Sequence, residues 1–294
     1  MKKYDSLILG QISLDINVDH AGNEVREVGG AVVASGFATS ALGHPTCVLP
    51  KANLSEVDVT SLFARATNVD VVPLASPSCT SIQNVYHTPD KERRTCRAIS
   101  RINPYRVDEL PDVDAAIVHI AGLMRGDFSG DIIEWAAKRA MCAVDVQCLL
   151  RCADADEGVM AFHDWPEKQT YLPMIRFLKT DAAEAEILTG LRDRREAAKK
   201  LHGWGASEIM ITHNTEALIY NGEQFYTKPL LPRNLSGRTG RGDTCFSAYI
   251  TERLTQPIEA ALLTACALVS LKMEAPGPFT GSRADVEAYI KAFY

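Results

Sequence analysis

Six short apolar runs recur along the chain without the in–out alternation of a half-exposed strand: SLILG (6–10), CVLP (47–50), AAIVHIA (115–121), CAVDVQ (142–147), IRFLKT (175–180) and EIMITH (208–213). A strand apolar on both sides needs cover on both faces, and in a parallel sheet helices supply that cover. Helix-like patterns lie between the runs, near 31–42, 56–66, 128–140, 182–189 and 194–203. The alternation predicts an α/β fold, a doubly wound, mostly parallel sheet with helices on both faces. No Pro-, Gly- and Ser-rich linker divides the 294 residues, so a single domain over 1–294 is expected.

Two β-leaning stretches break this rhythm. SCTSIQNVYHTPDKERRTCRAIS (78–100) has two β-rich flanks around a Thr-Pro-Asp turn start, which reads as a hairpin. Together with SLDINVDHAGNEVREV (13–28) it predicts a small sheet with one exposed face, a lid of roughly 11–28 and 77–102 over the main sheet. An ordinary solvent hairpin is the plainer alternative. Toward the end, TCFSAYITERL has the spacing of a one-sided helix, and PIEAALLTACALVSLKMEA (257–275) is apolar enough to be buried.

Charge and cysteine usage narrow the function classes. Net charge is −6 and the longest charged run is Lys91–Arg94, which argues against a nucleic-acid partner. The apolar part of MKKYDSLILGQISLDINVD is too short for a signal peptide, and no run reaches the ~20 apolar residues of a membrane span. Eight cysteines stand singly, many in apolar runs, as reduced thiols of a cytoplasmic protein would. Cys148, Cys152 and His163 lack a zinc-ligand spacing.

The chemistry concentrates in SGRTGRGDTCFSAYI (236–250). Gly237 and Gly242 have the spacing of a phosphate loop, but Asp243-Thr244 stands where such a loop carries lysine and a hydroxyl residue. A Gly240-Arg241-Gly242 turn opening a helix exposes unpaired backbone N–H groups, an anion site that needs no lysine. Asp243, in the first turn, is expected to keep a low pKa. A carboxylate there repels phosphate, yet it can take the proton of a hydroxyl that attacks a phosphoryl group. The bland alternative is a capped helix after a glycine turn. Arg241-Gly242-Asp243 as an adhesion tripeptide needs secretion and is set aside.

TGRGDTCFSAY resembles the C-terminal signature of the ribokinase-like (PfkB) carbohydrate kinases, and GGAVVASGFATSALG (29–43) resembles their first signature. Asp15 in GQISLDI fits the family aspartate that grips sugar hydroxyls. KTDAAEAEILTG (179–190) resembles the Asn-x-x-Glu element, with Asp181 in the Asn position and Glu184 keeping the acid. These matches run in the family's order along essentially the whole chain. The resemblance implies a ribokinase-like fold with a β-sheet lid, ATP as donor and Mg²⁺ as partner. It implies Asp243 as base, Gly240, Arg241 and Gly242 as anion hole, and Asp181 and Glu184 on the Mg²⁺ side through water. Read from the residues alone, Asp181 and Glu184 equally suit a helix N-terminus. The Gly29-Gly30 pair would join lid to core and let backbone approach the sugar.

Departures from the pattern carry information. Arg241 replaces the usual alanine and adds a cation beside the phosphate path. Gly237 stands where an aspartate tied to monovalent-cation activation is common, which leaves that activation open. Ala34 replaces an asparagine, which speaks against ribose. THNTEA (212–217) replaces a glycine-bearing nucleotide element, so Thr212 and Asn214 are the nucleotide-binding candidates, Asn214 being able to take a left-handed backbone. VDVQCLLR (144–151) and LKMEAPGPF (271–279) resemble the inositol and inosose kinases, with Cys148 in a glycine position. Asp145, Gln147 and Arg151 then fall at a strand's C-terminal end, where open α/β sheets bind ligands. Phosphoryl transfer to a small sugar or cyclic polyol, inositol or inosose, is the resulting expectation, with a homodimer through the lid. The rivals are an adenosine-type nucleoside kinase and a non-catalytic sugar- or nucleotide-binding protein of the same fold.

Overall fold

The computed structural model describes residues 2–88, 93–237 and 239–294. Pro89 and Asp90 of the expected hairpin turn lie outside the described residues. The main sheet draws on β1 (Lys3–Gln11), β4 (Thr46–Ala52), β5 (Val69–Val71), β6 (Leu74–Ala75), β9 (Asp114–Ile120), β10 (Met141–Asp145), β13 (Phe177–Asp181), β14 (Glu208–Thr212), β15 (Glu216–Tyr220) and β16 (Phe225–Pro229). Its order is β16-β15-β14-β13-β10-β9-β1-β4-β5, with β6 also on β4. From β14 to β5 every pairing is parallel, while β15 and β16 close one edge antiparallel.

The uniform apolarity of these strands is explained by two-sided packing. Val118, Val144, Leu178, Ile209 and Ile211 face a core shared with α3 (Gly130–Arg139), α6 (Ala182–Thr189) and α7 (Arg194–Gly203). Their neighbours Ile117, Ala143, Phe177 and Met210 face the opposite side, against α8 (Arg241–Glu252), α9 (Ile258–Met273) and α10 (Arg283–Phe293). Ile8 and Val48 extend that side onto α1 (Ala31–Ala41). Single-turn helices α2 (Val59–Leu62), α4 (Gln147–Leu150) and α5 (Lys168–Tyr171) serve as connectors, so the helix expected near 56–66 shrinks to one turn capped by Asp58.

The two β-leaning stretches pair into one separate sheet. Strands β2 (Ser13–Val18), β3 (Glu24–Gly29), β7 (Ser81–Tyr86) and β8 (Arg94–Ser100) align as β3-β2-β7-β8, the central pair parallel. A further hairpin, β11 (Arg151–Ala153) and β12 (Met160–Phe162), bridges to this sheet where Ala98 N–H donates to Gly158 O at 2.8 Å. No described helix is long and apolar enough to cross a membrane.

Candidate active site

Asp145 and Lys179 are register partners at the C-terminal ends of β10 and β13, so their side chains leave the sheet on the same face. The Lys179 Nζ lies 2.9 Å from Asp145 Oδ2, and both side chains are buried. Burial alone would lower the ammonium pKa. The charges of Asp145, Glu184 and Asp243 outweigh it, and the pKa is raised well above that of a free lysine. Lys179 is therefore a permanent cation among three carboxylates. It also lies under the glycine loop: a methyl group on Gly242 would sit 3.1 Å from Nζ.

The loop enters α8 through Gly240, whose φ of 76° puts it in the left-handed region that favours glycine. A Cβ there would also lie 3.1 Å from that of Ala34, on the first turn of α1, so a small residue at 34 lets the loop come down. Asp243 follows in the first helical turn. Its pKa does not stay low as expected but is pushed up to about 6: burial and the charge of Asp145 overcome Lys179, Arg151 and the helix terminus. A carboxylate of that pKa is ionised at neutrality and still basic enough to take a proton.

Asp181 and Glu184 form a capping box at the start of α6. Asp181 Oδ1 accepts from Glu184 N–H, and Glu184 Oε2 accepts from Asp181 N–H, both at 2.8 Å. Glu184 is buried, and burial pushes its carboxyl up to about 7 against the pull of Lys179. One oxygen of each group is left outside the box. Hard oxygen donors of this kind fit Mg²⁺ held through its own water. Among the described residues no cluster of three or more histidine, cysteine or acidic side chains forms a ready-made direct cage.

On the other side of the sheet end, Asp15 lies in β2 with Oδ1 buried and, among the described residues, without a hydrogen-bond partner. Burial raises its pKa to about 6, against Ser13 and the charge of Arg151. An unpaired buried acceptor is a ready receptor for a ligand hydroxyl. Gly29, paired across the strands with Ser13, leaves it room, since a Cβ there would stand 3.3 Å from Asp15 Oδ2. Gly30, φ 121°, brings the chain within 2.3 Å of where its Cβ would meet Gln11 O, a position closed to other residues. Gln147 opens α4, and its Oε1 accepts from the Arg151 guanidinium at 2.7 Å. Arg151 acts electrostatically on both Asp15 and Asp243, which joins the two halves of the site.

The nucleotide candidates behave differently. Thr212, at the end of β14, donates to Thr180 O at 3.5 Å. Asn214 does not take a left-handed backbone; among described non-glycine residues only Asn68 does. Instead its Oδ1 accepts from the Arg241 guanidinium at 2.6 Å. This pair ties the α8 terminus to the turn after β14, because each supplies the other's polar need at an exposed position. The cavity lined there by Thr212, His213, Ala217, Leu230, Arg241, Gly242, Cys245 and Val269 is about 10 Å³.

Several site groups escape reading from sequence. Lys179 and Lys272 are buried cations in otherwise apolar elements, and that oddity is the signal that could have found them. Gln11, hydrogen-bonded to the buried Asp127, carries at the end of β1 an Oε1 that has no hydrogen-bond partner among the described residues. Arg94 in β8 adds its charge to Asp15.

A mostly parallel sheet flanked by helices, a small separate sheet, and a glycine turn opening a helix with a half-buried aspartate in its first turn define a ribokinase-like kinase. The chain belongs to the pfkB family of carbohydrate kinases, whose profile matches residues 86–284, and is accordingly a phosphotransferase. It is similar to a pyrophosphate-dependent kinase of the ribokinase family solved with sulfate: 35% identity, TM-score 0.87, covering 96% of this chain and 99% of that one. A pyrophosphate-dependent kinase of the same family, complexed with a pyrophosphate analog and myo-inositol, is 33% identical with TM-score 0.87 and the same coverage, 96% and 99%. A cytidine kinase of Thermococcus kodakarensis is 24% identical over 257 residues, 84% of this chain and 87% of the relative. Ribokinase of Arabidopsis thaliana with ribose and ATP shares the fold at 17% identity, TM-score 0.78, covering 99% of each chain.

Proposed function

We propose that the protein phosphorylates a hydroxyl of a cyclic polyol of the inositol class, taking the phosphoryl group from a phosphoanhydride. The observation that carries this reading is Asp243, ionisable near 6, in the first turn behind the Gly240–Gly242 backbone. Asp15, Gln147 and Arg151, with the backbone at Gly29 and Gly30, would hold the ring hydroxyls. Asp243 takes the proton of the attacking hydroxyl as the new oxygen–phosphorus bond forms. The anhydride bond breaks on the far side, and the loop N–H groups, with Arg241, stabilise charge on the transferred group. Asp181 and Glu184 would hold Mg²⁺ through water, which when bound neutralises charge on the donor phosphates. Residues 1–294 act as one kinase domain in this reading, with 11–28 and 77–102 as a lid that excludes water. Val25, Val28 and Ile99, exposed on that sheet, support a homodimer formed through it.

For the donor, pyrophosphate is the reading we favour over ATP. Asn214, one of the two residues expected to hold a nucleotide, instead has its Oδ1 taken by the Arg241 guanidinium. The relatives 33–35% identical are pyrophosphate-dependent. ATP, bound by the Arabidopsis relative, is the second reading.

The test is product formation with Mg²⁺ across donors (pyrophosphate, ATP) and acceptors (myo-inositol, inososes, ribose, fructose, cytidine, adenosine). Turnover of myo-inositol or an inosose with pyrophosphate, lowered about 10²–10⁴-fold in Asp243→Asn, is expected. Turnover with ATP alone would replace the donor, and turnover confined to a nucleoside would replace the acceptor. Binding of these ligands without turnover would favour the non-catalytic alternative.

A further inference from the structure

Lys272 stands in the last turn of α9 with 2% of its surface exposed. Its Nζ donates to the carbonyl of Gly237 at 2.6 Å. The same stretch of chain is strapped along the helix end by further bonds: Gly237 N–H to Met273 O at 2.8 Å, Leu231 N–H to Ser270 Oγ at 3.0 Å, and Arg233 N–H to Glu274 Oε1 at 2.9 Å. Packing at Gly237 is so close that a methyl group there would fall 1.7 Å from Ala275 O and 3.0 Å from Lys272 O. Gly237 thus presses against the carbonyls of the helix end while its own carbonyl accepts from the ammonium. The C-terminal carbonyls of a helix lack intrahelical partners and carry partial negative charge, which favours a cation.

An ammonium has three protons to donate, and among the described residues Lys272 gives one of them to a carbonyl. Its burial pulls its pKa down to about 8, while the charge of Asp243 acts in the opposite direction, so the two groups sense one another. A monovalent charge held by a backbone carbonyl is also a contact that K⁺ can make, since carbonyl oxygens can replace its water.

We propose that Lys272 is a tethered monovalent cation, whose ammonium binds the Gly237 end of the loop to the end of α9 and so sets the Gly240–Gly242 donors and Asp243 without a free ion. It is a positioning residue, and the assignment rests on reading Gly240–Gly242 as the anion hole. Gly237, left without a carboxylate, then needs no potassium beside it.

The experiment compares wild type, Lys272→Ala and Lys272→Met in tetramethylammonium, potassium and ammonium chloride at equal ionic strength. Unfolding temperature and turnover are both read. Wild type should be indifferent to the cation in both. Lys272→Ala, which opens the space, should lose several degrees and about tenfold or more in kcat, and regain much of each in potassium or ammonium. Lys272→Met, which fills the space without charge, should lose activity and not be rescued. A wild type strongly activated by potassium overturns the proposal, and so does a folded Lys272→Ala whose unfolding temperature ignores these ions. If wild type turns over no acceptor, the proposed function fails, and the unfolding temperatures still decide the role of Lys272.

Discussion

Lys179 and Asp145 meet at 2.9 Å on adjacent parallel strands, and that ammonium also answers Glu184 and Asp243. Lys179→Met would strand buried carboxylates without a counter-charge. The expected cost is about 3–5 kcal/mol of stability by denaturant unfolding. In whatever folds, the acid limb of activity moves to higher pH, because Asp243 loses the cation that favours its ionised form.

The pH profile of wild type has an acid limb, to which Asp243 and Glu184, the latter pushed up to about 7, both contribute, and an alkaline limb from Lys272. Asp243 must be ionised to accept a proton, and its pKa is about 6, so kcat/KM falls as pH drops through about 6. Lys272 is charged below about 8 and neutral above, so activity also declines as pH rises through about 8. Asp243→Glu should keep a bell shape with lowered height; Asp243→Asn should lower the rate and leave the acid limb to Glu184.

Asp15→Asn tests the alcohol side separately. A buried oxygen that waits for a hydroxyl contributes to binding in ground and transition states alike. The expected result is a rise in KM for the polyol of about 10–100-fold, the loss of one charged hydrogen bond, with a smaller change in kcat. An unchanged KM would remove Asp15 from the acceptor site.

Gly242→Ala places a methyl 3.1 Å from Lys179 Nζ without removing any backbone donor. The buried lysine has little room to yield, so the loop shifts. A loss of about tenfold or more in kcat with near-normal unfolding is expected.

His44 carries a prediction about stability rather than catalysis. It lies between Asp5 Oδ2 at 2.6 Å and Glu252 Oε1 at 2.8 Å. Burial would lower its pKa, but the two carboxylates outweigh burial and raise it above 6.5. A raised folded pKa means that the stabilisation is full below the unfolded value, near 6.5, and is lost as pH rises through the folded one. His44→Gln should therefore cost about 2 kcal/mol near pH 6, with the gap to wild type narrowing at alkaline pH. Chemical denaturation across pH measures it.

Much of the sheet was legible because its signal is local. The unbroken apolar runs at 6–10, 115–121 and 208–213 mark β1, β9 and β14, since a strand covered on both faces needs no polar side. The β15–β16 edge has a local signal too, since Asn221-Gly222 between two β-rich runs is a hairpin pattern, but its place on the sheet edge is not local. The β11–β12 pair is three residues a side, too short for any period to register. For the site, Asp243 and its glycines could be named from spacing, because a loop that opens a helix is contiguous in the chain.

The sequence by itself determined the α/β layering, the family and the residues that stand in the loop and its first turn. It did so because strand apolarity, glycine placement and the order of short motifs are properties of neighbouring residues. Only the tertiary structure decided what those residues experience. The rise of Asp243 to about 6 depends on burial and on Asp145, some hundred residues earlier in the chain. The pairing of Arg241 with Asn214, and the meeting of Lys272 with Gly237, join segments 27 and 35 residues apart. Electrostatic environment and backbone contact are sums over groups that folding brings together, and no local pattern holds them.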